Sequence, residues 1–108
     1  MIQVTPNSEE RRQSRFDAES LNRASHALRC DGFVIVGNVI DHAHLDALRE
    51  GMEADLEKIR ALPVIPHNFV WGNVQQDPPP SARYVFRDVV ANPFVCQVTK
   101  EVLGEGAF

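Results

Sequence analysis

The sequence has little of several things that would identify its chemistry. Its 108 residues contain 2 cysteines, too few for a disulfide scaffold and not at the spacing of a metal-binding motif. No apolar run approaches the roughly 18 residues that would span a bilayer. Basic residues are not in excess, since the formal net charge is −4, and a nucleic-acid-binding surface would need a basic stripe. We therefore expect neither a membrane nor a nucleic acid as a partner.

Several motifs that mark catalytic or phosphate-binding loops are also missing. The sequence contains no G-x-x-x-x-G-K-[ST], no G-x-G-x-x-G and no G-x-S-x-G. Phosphate-loop, dinucleotide-binding and serine-hydrolase chemistry therefore have no support. The first residues lack the apolar segment of a secretory signal. We expect a reduced, cytoplasmic chain with a single domain.

What is present is a regular series of helix signals. Residues 1–16 are polar and have no apolar period, so we expect a disordered tail ahead of one domain over residues 17–108. Three later segments carry apolar residues at spacings of three and four, each after a capping residue. The predicted helices cover residues 17–30, residues 41–60 and a segment that begins at Asn92-Pro93 and ends at Gly104.

The rest of the chain predicts strands and a long loop. Residues 33–36 are β-branched or aromatic and predict a short strand that is covered on both faces. Five of the seven prolines lie in residues 62–81, which predicts an extended proline-rich loop. A second strand is expected around residues 69–71 or 83–86. The fold class that follows is helix-rich α+β.

The histidines and cysteines are the first candidates for chemistry. His44-Leu45-Asp46 spells the H-x-D of non-haem iron sites, but positions i and i+2 of a helix diverge by about 200°. We therefore expect no metal ligand there. A module built from all four histidines (His26, His42, His44 and His67) is a weaker alternative. Cys30 and Cys96 are each a candidate nucleophile, or together a candidate disulfide, although we expect both to be small buried hydrophobes.

Residues 68–88 form the most unusual stretch. Amides, aromatics and arginines on a long loop are typical of the rim of a ligand site. The alternative is a loop that packs its own aromatic side chains onto the body of the protein.

The order of these features resembles that of a known family. The features are Leu28-Arg29-Cys30-Asp31-Gly32-Phe33-Val34-Ile35-Val36, the capped helix over residues 41–60, Gln75-Gln76-Asp77-Pro78-Pro79-Pro80, Phe86-Arg87-Asp88-Val89, Asn92-Pro93-Phe94 and Leu103-Gly104. In this order they resemble the N-terminal portion of the phytanoyl-CoA dioxygenase family. The resemblance covers residues 20–108.

The resemblance implies an iron(II)- and 2-oxoglutarate-dependent oxygenase that oxidises a C–H bond of a small-molecule substrate. It implies a double-stranded β-helix (jelly roll) flanked by helices, with the iron ligands and the basic residue that pairs with 2-oxoglutarate on the barrel, C-terminal to the matched region. A jelly roll needs about eight strands, which this chain cannot supply after its three helices and long loop. We therefore expect a truncated or partial enzyme with an incomplete barrel and no catalytic residue. Neither iron(II) nor 2-oxoglutarate is expected to bind this chain alone.

Two further expectations follow. In an intact relative, six side chains would be candidates for the substrate entrance: Phe69, Trp71, Gln75, Gln76, Arg83 and Arg87. The alternative from another class is a small non-catalytic protein-interaction module. Its apolar helix faces, left without a barrel, would bind a partner or self-associate.

Overall fold

A computed structural model of the chain describes residues 2–70, 72–104 and 106. Within them the fold is helix-rich α+β, as the sequence predicts. The described residues divide into two compact units. The first consists of the described residues of Met1–Ile40 and Arg87–Phe108, and the second of those of Asp41–Phe86. The elements in chain order are β1 (Gln3–Val4), α1 (Ser8–Gln13), α2 (Ala18–Asp31), β2 (Ile35–Val36), α3 (His42–Arg60), β3 (Phe69–Val70), β4 (Asn73–Val74), a 3-10 turn (Ala82–Tyr84), α4 (Arg87–Val90) and α5 (Pro93–Leu103).

The first unit is built around the contact between α2 and α5. Strands β1 and β2 pair in parallel beside these helices, with Gln3 opposite Ile35 and Val4 opposite Val36. The rings of Phe16 and Phe94 lie at a centroid distance of 4.9 Å and an interplanar angle of 59°, a tilted contact within the distance range of favourable aromatic pairs. The buried core consists of Val4, Phe16, Ala24, Phe94 and Val98.

The polar N-terminal segment differs from the prediction of a disordered tail, because its described residues form β1 and α1. The helix begins with a reciprocal capping box, in which Asn7 accepts from the N–H of Glu10 and Glu10 accepts from the N–H of Asn7. Phe16 then anchors the segment, since it is only 2% exposed. Its N–H donates to Gln97 Oε1 at 2.8 Å, and its carbonyl accepts from Gln97 Nε2 at 3.1 Å. The two buried side chains of Val4 and Phe16, together with the capping box, are enough to fix this segment although it has no apolar period.

The three predicted helices are confirmed, together with their caps. Asp17 accepts from the N–H of Ser20 at 2.8 Å, and α2 ends at Gly32, whose φ of 78° lies in the left-handed region that glycine favours. Asp41 accepts from the N–H of Ala43 at 2.9 Å. Asn92 caps α5 ahead of a proline at the first position.

The strand predicted over residues 33–36 is shorter than expected, and it is covered on one face only. It spans Ile35–Val36, and Phe33 and Ile35 are 50% and 40% exposed. Val34 and Val36 instead pack against the core. The side chains of a strand alternate between its two faces. Where only one face of the sheet is covered, every second side chain of an apolar run is therefore exposed, here Phe33 and Ile35.

The second unit consists of α3, a small hairpin and the 3-10 turn. The predicted long loop contains the antiparallel strands β3 and β4, with Phe69 opposite Val74. A strand therefore forms at residues 69–70, while Ala82–Tyr84 is a 3-10 turn rather than the alternative strand. On α3, Gly51 gives room to Tyr84, because a Cβ there would lie 2.7 Å from the ring. No helix among the described residues is long and apolar enough to cross a membrane.

Candidate functional site

Several polar side chains converge on a pocket in the second unit. Its volume is about 330 Å³, and we call it the amide pocket. The C-terminal half of α3 forms one wall, and the hairpin and the segment after it form the other. The lining residues are Asp55, Ile59, Asn68, Phe69, Gln75, Gln76, Asp77, Pro78 and Pro80.

Hydrogen bonds to the backbone fix the polar wall of the amide pocket. The N–H of Gln75 donates to the carbonyl of Asn68 at 2.7 Å, and Asn68 Nδ2 donates back to the carbonyl of Gln75 at 3.0 Å. Gln76 Nε2 donates to the carbonyl of Met52 in α3 at 2.8 Å. These bonds close the base of the hairpin and attach the following segment to α3. The prolines of that segment, which have no N–H to donate, therefore do not have to take part in a sheet.

The lining residues favour binding over bond cleavage. Asp55 and Asp77 place two carboxylates at the pocket, and Asp55 is paired with Lys58 at 3.1 Å. Carboxylates and amides hydrogen-bond a polar or cationic ligand, and Phe69 adds an aromatic surface. Nucleophilic catalysis would require a nucleophile within reach of a base, and the described lining residues supply no such pair.

Three of the six residues predicted for the substrate entrance come together in this pocket, namely Phe69, Gln75 and Gln76. Arg83 instead lies over the ring of Tyr84, with its guanidinium carbon 4.8 Å from the centroid. Arg87 is the first residue of α4, in the first unit. Trp71 lies outside the described residues. Their role at a substrate entrance stays a prediction.

The sequence places Asn68 in the stretch that is typical of a ligand-site rim but not among the six entrance candidates, and it does not point to Asp55 at all. The signal for Asn68 was present, because it precedes a strand pair joined through Gly72, whose φ is 86°. Asp55 had no such signal, because it lines the pocket only once the hairpin has folded back onto α3.

The histidines do not assemble a metal site. His44 stacks on Phe86 at a centroid distance of 4.1 Å and an interplanar angle of 10°, and Asp46 lies two positions further along α3. His26 belongs to the first unit, whereas the other three histidines belong to the second. Over residues 2–70, 72–104 and 106, no group of three or more His, Cys, Asp or Glu side chains could hold a metal ion.

The two cysteines occupy different environments. Both are free, Cys96 is half-buried and Cys30 is exposed. The prediction that both are buried hydrophobes is therefore wrong for Cys30, which lies on the solvent face of α2 near its C-terminus. The sulfur of Cys30 lies 3.6 Å from Nε2 of His26, one helical turn before it.

A second and larger cavity lies in the first unit. It has a volume of about 620 Å³, and we call it the valine cleft. Leu28, Val34, Val36 and Val98 are among its lining residues, and Val95 at its wall is 45% exposed. The sequence predicts Leu28 and Val98 on buried helix stripes, and Val34 and Val36 in a strand covered on both faces. The cleft appears only once the small size of the β1–β2 sheet is known.

No family model matches this chain.

Proposed function

We propose that this chain is the helix-rich N-terminal part of an iron(II)- and 2-oxoglutarate-dependent oxygenase of the phytanoyl-CoA dioxygenase type, and that its helices support a barrel outside these residues. The support from the sequence is the ordered series of features that resembles this family. The support from the structure is the valine cleft, an apolar surface beside a sheet of only two short strands. An apolar surface of this kind is typical of a face that packs against further structure.

The exposed side chains around the valine cleft carry this proposal. Phe33 is 50% exposed and Val90 is 67% exposed, and both line the cleft. Covering apolar surface contributes roughly 25 cal/mol per Å² removed from water. A barrel sheet laid over these side chains would therefore stabilise the helices and the barrel together.

Iron does not fit the residues that the structure describes. His44 and Asp46 share the H-x-D string, but they project from α3 about 200° apart, and the His44 ring is stacked on Phe86. The family's ligands lie on the barrel, so we derive no catalytic step for this chain. We propose that Phe69, Gln75 and Gln76 in the amide pocket contribute to the substrate entrance of the intact enzyme, and the same role for Trp71, Arg83 and Arg87 stays a prediction from the resemblance.

The experiment that tests this proposal is the intact mass of the native protein from its source. We expect a mass well above 12.1 kDa, the mass of these 108 residues, and an H-x-D and a distal histidine in the additional sequence. The matched assay uses the 108-residue chain with iron(II), and we expect no more 2-oxoglutarate consumption than in a metal-free blank. A native mass of 12.1 kDa would contradict the proposal.

The valine cleft also favours a second candidate, a small non-catalytic protein-interaction module that uses this surface for a partner or for a second copy. Size-exclusion chromatography and circular dichroism separate the two candidates. A single species, monomer or dimer, that unfolds cooperatively supports the module. Aggregation with retained far-UV and lost near-UV signals supports a fragment that lacks its sheet.

A further inference from the structure

Strand β2 has one edge without a partner among the described residues. The N–H groups of Ile35 and Gly37 donate at 3.2 and 2.9 Å to carbonyls of the segment that contains β1. The N–H and C=O groups of Val34 and Val36 point to the other edge, and no backbone group of the described residues bonds them. Both residues also line the valine cleft, so open space lies beside this edge. An unpaired edge is a template for a further strand.

The unpaired groups are complementary to a second copy of themselves. In an antiparallel pair about a two-fold axis at Ile35, Val34 lies opposite Val36 of the other copy. These two residues then form a hydrogen-bonded pair, in which each donates its N–H and accepts with its C=O. The two-fold axis repeats the pair, so every free N–H and C=O of both residues is bonded in both copies.

The same pairing covers the exposed face of the strand. Ile35 is 40% exposed and Phe33 is 50% exposed on this face. At the axis Ile35 meets its own copy in a non-hydrogen-bonded pair, the kind in which opposite side chains lie closest. Apolar cross-strand pairs of this kind stabilise a sheet.

The charges at the two ends of the edge are opposite. Asp31 ends α2 just before the strand. Arg11 lies beyond the other end of the strand, where its guanidinium donates to the carbonyl of Asn38. An antiparallel pair brings Asp31 of one copy towards Arg11 of the other at both ends, so the flanking charges favour this orientation.

We propose that this edge joins two copies of the chain through one continuous sheet, with strands in the order β1-β2-β2-β1. The pairing rests on the backbone groups of the edge and on the charges beside it. It does not depend on the oxygenase proposal.

The test is a disulfide cross-link in a Cys30→Ser, Cys96→Ser background. Ile35→Cys is expected to give a covalent dimer on mild oxidation, because opposed Cα atoms of a non-hydrogen-bonded pair lie about 4.5 Å apart, within the reach of a disulfide. Phe33→Cys is the register control, since it lies on the same face of the same strand but opposite Gly37 of the other copy. Its two copies would be about 13 Å apart, too far for a disulfide.

Sedimentation of the 108-residue chain gives a second readout. We expect a monomer–dimer equilibrium whose Kd rises about tenfold in Ile35→Lys, since like charges then face each other across the axis. Val74→Lys, at a strand position of the second unit that is 44% exposed, is expected to leave the Kd unchanged.

Three outcomes would overturn the pairing. They are a wild-type chain that stays monomeric at every concentration, equal cross-linking of Ile35→Cys and Phe33→Cys, and equal effects of the two lysine variants. None of these readouts involves 2-oxoglutarate or the native mass, so failure here leaves the oxygenase proposal untouched.

Discussion

The buried carboxylate of Glu10 supports the sharpest prediction about stability. Glu10 is only 3% exposed. One of its oxygens accepts from the N–H of Asn7 at 2.8 Å, and the other accepts from the N–H of Asp17 at 3.0 Å. This side chain therefore joins the start of α1 to the start of α2. The perturbation of choice is Glu10→Gln, which keeps the shape and removes the charge.

The size of the stability loss follows from the number of oxygen atoms that can accept the two backbone N–H groups. A glutamine offers one oxygen, so its NH₂ group must face the second backbone N–H, and that donor is left without a partner. Hydrogen bonds to a charged group contribute about 1.5–3 kcal/mol, and an unsatisfied buried donor costs about 1–3 kcal/mol. We expect Glu10→Gln to lower the free energy of unfolding by about 2–3 kcal/mol at pH 7.

The dependence on pH has a definite sign. Burial of Glu10 would raise its pKa, but the hydrogen bonds from the N–H groups of Asn7 and Asp17, together with those to the side chains of Ser20 and Asp17, hold the pKa below its ordinary value. A carboxyl group whose pKa is lower in the folded state stabilises the fold above its unfolded pKa. That stabilisation is lost as the pH falls through the folded pKa. The difference between wild type and Glu10→Gln should therefore shrink below pH 4.5.

The assay is urea unfolding of both proteins, followed by circular dichroism from pH 7 down to about pH 3, which is below the ordinary pKa of a glutamate. The neighbouring Glu9→Gln is the matched control. Glu9 is 56% exposed and pairs with Arg12 on the surface of α1, so we expect little change in stability. A difference between wild type and Glu10→Gln that is equally large at pH 7 and pH 3 would refute the reasoning.

Three further predictions concern packing, capping and association. Phe16→Ala is expected to lower the free energy of unfolding by about 3–5 kcal/mol in urea, whereas Phe33→Ala at a half-exposed position should cost much less. Asn92→Ala should cost about 2 kcal/mol, because the buried amide caps α5 and donates to two carbonyls; an unchanged midpoint would contradict this role. Val90→Ser is expected to weaken concentration-dependent self-association in size-exclusion chromatography. The control is Val64→Ser in the second unit, where the side chain is 81% exposed. An equal effect of the control would show that the valine cleft is not involved.

The sequence predicts the elements whose signals are local. Asp17, Asp41 and Asn92 each precede an apolar period, and each forms the expected cap, because a cap needs only residues within three positions of it. Gly32 ends α2 for a similarly local reason. Asn7 and Glu10 form an equally local capping box that the prediction of a disordered tail overlooked.

The remainder depends on contacts between distant parts of the chain. Phe16 is fixed by Gln97, 81 positions away, and no local pattern signals that pair. The exposure of Phe33 depends on the sheet having only two strands. At the candidate site, Phe69, Gln75 and Gln76 come together because a hairpin forms within the loop. Arg87 belongs to the first unit, because the chain passes into that unit at this residue.

A single side chain ties together the two points where the chain leaves and re-enters the first unit. Asn92 Nδ2 donates to the carbonyl of Val39 at 2.9 Å and to the carbonyl of Asp88 at 2.9 Å. The whole of Asp41–Phe86 is thereby an insertion whose ends are already joined in the first unit. Since the entropic cost of closing a flexible loop rises by only about 0.6 kcal/mol for each doubling of its length, a change in the length of this insertion is expected to add little to the cost of closing the chain within the first unit.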